Sequence, residues 1–196
     1  MNMHKPALIV VDVQNGFTTD EAIHVVPVIV GLVSRWQAAG GTVVFTRYSN
    51  YPESPYERLI GWYALHQSPE IDLVDELAPY IDQPNTYIID KTVYTAFNER
   101  GRALFAEQGF TDLFICGIAT DGCVLKTTLD AFEAGYTPWV IEDACASNAS
   151  RIPPEEVHRS ALVLMSRLVG SGQIIRSADA LSIAGFQEDS QRAMTG

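Results

Sequence analysis

The stretch GIATDGCVLKTTLDAFEAGY, residues 117–136, decides how this chain is read. An apolar run at 113–118 feeds into it, breaks into small and polar residues, and turns at once into a helical pattern. A strand that passes directly into a helix is half of a βαβ unit. A cysteine, Cys123, stands in the first turn of that helix. Amide N–H groups at a helix start stabilise a thiolate and lower the thiol pKa. Free cysteine is also among the most buried residue types, so position alone leaves packing and nucleophile both open. Cys116, inside the apolar run, and Cys145, after a later strand, read as packing.

The same rhythm runs outward in both directions. Apolar, β-branched runs at 7–13, 42–46, 87–90, 113–118, 139–142 and 173–176 are mostly continuous, as in parallel strands buried on both faces. Helical patterns lie between them at 27–39, 71–78, 99–108, 121–134 and 154–168. Pro27 sits at a first turn and Gly40-Gly41, Gly109 and Gly135 act as stops. The expected helix at 121–134 buries Val124, Leu125, Thr128, Leu129 and Phe132, with Thr120 or Asp121 as N-cap. The fold class is therefore α/β: a doubly wound, mainly parallel six-stranded sheet with helices on both faces, Rossmann-like, in one domain spanning 1–196. Residues 48–69, YSNYPESPYERLIGWYALHQSP, break the rhythm. A connection this long and aromatic reads as a wall over a site, a subunit contact, or both.

Composition narrows the partners. The chain carries 24 acidic against 13 basic residues, a formal net charge of -11, with no Lys/Arg run. Nucleic acid and anionic membranes are poor partners for it. No segment reaches the roughly 18 apolar residues of a membrane span. The opening MNMHKPALIVVDVQ reads as a first strand, not a signal peptide. Three scattered cysteines suit reduced thiols and a cytoplasmic location.

In open parallel sheets ligands bind beyond the carboxyl ends of the strands. Asp12 closes the first run (ALIVVD), Asp90-Lys91 closes the third (TYIIDK), and Cys123 follows the fourth. An acid, an amine and a thiol thus converge on one sheet edge. A carboxylate beside a thiol can take its proton. An ammonium beside both favours their charged forms and stabilises developing negative charge. The four histidines have no metal-ligand spacing, and no CxxC occurs. The dinucleotide fingerprint and the P-loop are both absent; Cys123 stands where the latter needs lysine.

These residues carry a resemblance. ALIVVDVQNGF, DKTVYTAF and GIATDGCVLKTTLDAFEAGY followed by VIEDACAS are similar to the segments that define the isochorismatase-like cysteine hydrolases, relatives of nicotinamidases and N-carbamoylsarcosine amidohydrolase. The resemblance implies Asp12, Lys91 and Cys123 as catalytic residues and a non-proline cis peptide at Ile118–Ala119. It implies an oxyanion hole from the amides of Ala119 and Cys123, and homo-oligomers, dimers or tetramers. Nicotinamidases of this kind bind a metal through Asp-x-His and a further His after strand two. Here that region reads TRYSNYPES, so no metal and no other cofactor is expected. The expected activity is hydrolysis of a C–N bond in a small amide or ureido substrate through a thioester. Isochorismatase-type vinyl ether hydrolysis and a non-catalytic binding protein are the alternatives. Asn15, Phe17, Tyr48, Trp62 and Phe97 are the candidate substrate contacts.

Overall fold

The computed structural model describes residues 4–186. Six parallel strands form one sheet in the order β3-β2-β1-β4-β5-β6: β1 (Pro6–Val11), β2 (Thr42–Tyr48), β3 (Thr86–Lys91), β4 (Asp112–Ile118), β5 (Thr137–Ala146) and β6 (Ile174–Ile175). β1 and β4 are fully buried but for Pro6, which is why their sequences are apolar without alternation. Strand order reverses between β1 and β4, and the crevice at such a reversal is where doubly wound sheets bind ligands. Helices α1 (Val26–Ala38), α2 (Ala78–Ile81), α3 (Glu99–Gln108), α4 (Leu125–Glu133), α5 (Pro154–Val169) and α6 (Ala180–Ile183) complete the chain.

The structure departs from the sequence reading where single residues override a pattern. β1 stops at Val11, not at 13, because Asp12 adopts a left-handed φ of 48°. Aspartate tolerates that region better than the β-branched residues around it. β5 runs on to Ala146, well past the acidic pair Glu142-Asp143 that reads as its end. A register shift opposite Ile115 and Gly117 lets Cys145 and Ala146 pair with Gly117 and Ile118. The expected helix at 71–78 is instead a short turn, Asp75–Leu77, followed by α2. Pro79 sits in the first turn of α2, where a missing N–H costs nothing, so it opens a helix there and does not close one.

Gly117 fixes how closely β4 can approach β1. Its φ is +123°, and a Cβ there would stand 2.1 Å from the Val11 carbonyl oxygen. Only glycine fits, and the close approach brings the ends of the two strands together where Asp12 and the segment leading to Cys123 emerge.

The long 48–69 connection is ordered by a polar knot. Asn50 Oδ1 accepts from Ser54 Oγ at 2.7 Å and from the Tyr51 N–H at 3.0 Å, and Asn50 N–H donates to Leu65 O at 2.7 Å. Glu57 Oε2 accepts from the Glu53 N–H and Glu57 Oε1 pairs with His66 Nε2. A π-helical turn, Tyr56–Ile60, ends on Gly61 in the left-handed region and presents Tyr56 and Trp62.

Candidate active site

Asp12, Lys91 and Cys123 meet at the β1/β4 reversal. Lys91 Nζ donates to Asp12 Oδ2 at 2.6 Å and lies 3.5 Å from Cys123 Sγ. It also donates to the carbonyls of Val93 and Tyr94, both at 3.0 Å. The other carboxylate oxygen, Asp12 Oδ1, accepts from the Thr46 hydroxyl at 2.6 Å, and the Asp12 N–H donates back to Thr46 Oγ1 at 3.1 Å. Asp12 is wholly buried and Lys91 and Cys123 nearly so. A buried charge is tolerable only when its valences are met, and here both are. Burial opposes the Lys91 charge, but Asp12 and Cys123 outweigh it and raise its pKa.

The thiol is not a resting thiolate. Burial first, and the Asp12 carboxylate second, push Cys123 up, while Lys91 pulls it back only in part. The helix start that the sequence suggests would lower it is outweighed by desolvation and by a neighbouring acid. Burial and the neighbouring acid therefore favour the protonated form of the Cys123 thiol.

The three cysteines make alkaline pH a test of the core. Burial raises Cys116 well above its ordinary value and Cys145 to about 12. A thiol whose folded value lies above its unfolded value of about 8.5 stabilises the fold fully below that pH. The contribution is lost as pH rises towards the folded value. Unfolding free energy is therefore expected to fall between about pH 8 and pH 10, by about 2 kcal/mol per buried thiol. Urea titrations of wild type and Cys116→Ala across that range check this. The variant should lose stability less steeply; identical slopes would assign the loss to other groups.

The elbow differs from the expected helix start. Thr120–Val124 forms a π-helical turn and regular helix begins at Leu125. Neither Thr120 nor Asp121 caps it; the residue before the turn is Ala119, whose carbonyl accepts from the N–H groups of Gly122 and Val124, each at 3.1 Å. The Ile118–Ala119 peptide is cis. Phe132, expected in the core, is half exposed.

A roof of aromatic rings adjoins Cys123, a residue only 5% exposed. Phe17 stacks on Trp62 at 5.6 Å and 8°, Tyr48 meets Tyr56 edge-on at 5.4 Å, and Tyr56 meets Tyr94 at 5.1 Å. The Tyr94 ring also lies against the elbow, 3.8 Å from where a Gly122 Cβ would be. Burial is the main cause that raises the pKa of Tyr48, Tyr56 and Tyr94, and the nearby thiol adds to it in all three. Their hydroxyls therefore stay protonated and able to donate.

Three of the five candidate contacts, Phe17, Tyr48 and Trp62, belong to this roof. Two do not. Phe97 packs on Phe105 at 5.0 Å and Tyr136 at 5.6 Å, beneath Arg102, just before the Asn98 cap of α3. Asn15 faces outward and its Nδ2 donates to Pro69 O at 3.0 Å. Its neighbour Gln14, wholly buried, bridges Tyr48 and Ile71 and so ties β1 to the start and end of the aromatic connection. Tyr56 falls within the aromatic 48–69 connection; Tyr94, Thr46 and Gln14 are the residues around the candidate site that sequence reading did not single out. Tyr94 had a signal, since it follows Lys91 by three residues in the quoted segment. Thr46 and Gln14 had none.

The end of β2 and the residue after it offer poor metal chemistry. Arg47 pairs with Asp90 at 2.7 Å, and Tyr48 and Ser49 follow. Among the described residues no three His, Cys, Asp or Glu side chains gather where they could hold a metal ion.

A doubly wound sheet with an acid, an amine and a thiol at its reversal defines the class of protein. The chain belongs to the isochorismatase family: the Isochorismatase domain model matches residues 6–178. It is 27% identical over 202 residues to the ureidoacrylate amidohydrolase RutB of Azorhizobium caulinodans, covering 86% of each chain. It is 31% identical to the nicotinamidase of Acinetobacter baylyi, covering 71% of this chain and 80% of the relative. Its structure resembles the crystal structure of N-carbamoylsarcosine amidase from Thermoplasma acidophilum, with a TM-score of 0.74, 28% identity and coverage of 88% and 96%.

Proposed function

We propose that the chain is a metal-independent cysteine amidohydrolase that cleaves a C–N bond in a small amide or ureido compound. The observation that carries this reading is Lys91 Nζ seated between a buried carboxylate and a buried thiol, 2.6 Å from one and 3.5 Å from the other. The names of the relatives, a ureidoacrylate amidohydrolase, a nicotinamidase and an N-carbamoylsarcosine amidase, support the substrate class.

Asp12 takes the Cys123 proton as the sulfur attacks the substrate carbonyl carbon. The carbonyl electron pair moves to oxygen, and the amides of Ala119 and Cys123 stabilise it. When the oxyanion collapses, the C–N bond breaks and the departing nitrogen takes the proton from Asp12. Water then gives a proton to Asp12 and attacks the thioester. The thiolate leaves and recovers that proton. Lys91 stays charged throughout and offsets the negative charge that passes between carboxylate and sulfur. The roof of Phe17, Tyr48, Tyr56, Trp62 and Tyr94 keeps bulk water from the thioester and limits the substrate to a small molecule.

The test is ammonia release from nicotinamide, ureidoacrylate and N-carbamoylsarcosine, with and without a chelator. Turnover that survives the chelator supports the scheme; turnover that the chelator abolishes and zinc restores refutes its metal independence.

A second copy of this chain is the proposed cover for Leu59, Ile60 and Tyr63, which stand 79%, 58% and 66% exposed in succession beside the roof. Sedimentation equilibrium should give a dimer or tetramer, and Leu59→Lys with Ile60→Lys should shift it towards monomer. An unshifted assembly would place the interface elsewhere. Among the described residues no helix is long and apolar enough to cross a membrane.

A further inference from the structure

A cavity of about 780 Å³ is bordered by His24, Glu142, Ser147, Glu155 and His158. Cys123 does not line it. One of its walls nonetheless touches the catalytic turn: His158 Nδ1, from α5, lies 2.8 Å from Thr120 Oγ1. Thr120 is wholly buried, and it is the first residue of the turn that carries Cys123, directly after Ala119.

We propose that His158 is a positioning residue for the elbow, holding Ala119 and Cys123, through Thr120, in the geometry that stabilises a tetrahedral oxyanion. The inference rests on the reading of Cys123 as nucleophile and Ala119 as oxyanion donor. Three observations carry it. The Ala119 carbonyl is already tied from the inside by the N–H groups of Gly122 and Val124. The next residue, Thr120, is tied from the outside by His158, so residues 119–120 are held from two directions. The imidazole borders open space, so packing alone does not fix it; the bond to Thr120 gives the ring its place. Burial first, and His24 among its charged neighbours, lower the His158 pKa against the opposing pull of Glu142 and Asp121. A neutral ring suits a hydroxyl, which can donate to or accept from Nδ1.

An oxyanion donor displaced by a fraction of an ångström loses most of its worth, so the effect falls on tetrahedral adducts. The probe is [1-13C]acetaldehyde. Cys123 sulfur adds to its carbonyl carbon, the C=O π bond becomes a C–O single bond, and the thiol proton passes to that oxygen. Integration of the thiohemiacetal carbon by 13C NMR gives the dissociation constant without any knowledge of the substrate.

His158→Ala is expected to weaken the adduct about 10- to 100-fold, and His158→Asn, whose amide reaches the Nδ1 position, to restore most of it. Thr120→Val should weaken it similarly, and adding His158→Ala to Thr120→Val should cost little more. If His158→Ala fails to fold, Thr120→Val against Thr120→Ser makes the same comparison. Wild-type affinity in His158→Ala, or equal losses in the Ala and Asn variants, would overturn the proposal while leaving the nucleophile in place. An adduct that persists in Cys123→Ala, or none in wild type, would instead overturn the nucleophile reading.

Discussion

Cys123→Ala is expected to lower kcat/KM for amide hydrolysis by about 10^4-fold or more while leaving the fold intact. The size follows from the chemistry. A thioester route needs a sulfur, and no neighbouring group can take its place: Lys91 is protonated and hydrogen-bonded to Asp12, Val93 and Tyr94. What remains is binding plus oxyanion stabilisation of a direct attack by water, a small residue of the full rate. The fold should survive, since removing one buried sulfur costs about 1 kcal/mol. Ammonia release from the panel substrates gives the rate. Intact mass after rapid acid quench gives the intermediate: wild type should carry an acyl or carbamoyl mass on the peptide containing Cys123, and the variant none. Equal rates of ammonia release in the two proteins would remove the thioester, whereas no release from any of these compounds by either protein would favour vinyl ether hydrolysis, where the sulfur is dispensable.

The same residues show what the sequence made legible. The sheet could be read because parallel strands buried on both faces must be apolar throughout, and residues 113–118 and 7–11 are. The acid, amine and thiol could be read because strand ends mark one edge of the sheet, so three positions far apart in sequence could be assigned to one place. The roof was legible only as composition. That Tyr56 meets Tyr94 beside Gly122 while Phe97 packs on Phe105 and Tyr136 is a matter of tertiary contacts that aromatic content does not encode. The thiol's upward shift was hidden for a related reason. A helix start can be read from a pattern, but the depth at which it is buried is a property of the assembled fold. Thr120 shows the limit most plainly. It reads as an N-cap from local sequence, and its hydroxyl is instead held by a histidine 38 residues away.

Asp12→Asn and Lys91→Met should each lower activity by about 10^3-fold or more, and each should destabilise the fold by about 3 kcal/mol. In the first, the Thr46 hydroxyl still finds an oxygen, but the amide that replaces Oδ2 turns N–H groups towards a buried ammonium. In the second, methionine keeps the volume while the carboxylate loses the cation 2.6 Å away and is left without a compensating charge, its Oδ1 still accepting from the Thr46 hydroxyl. The double variant separates fold from chemistry. With neither charge present no unpaired charge is buried, so its stability should return close to wild type, far above the sum of the single losses. Its activity should not return, because the base is gone. Urea midpoints and ammonia release on the four proteins make the comparison. Additive stability losses would mean that the two charges are solvated separately, and the coupled site would have to be abandoned. A stable but inactive double variant would instead show that the sheet does not need this pair. Its burial at the β1/β4 reversal would then be explained by the thiol 3.5 Å from Lys91, whose proton must be taken and whose charge must be met within one enclosed space.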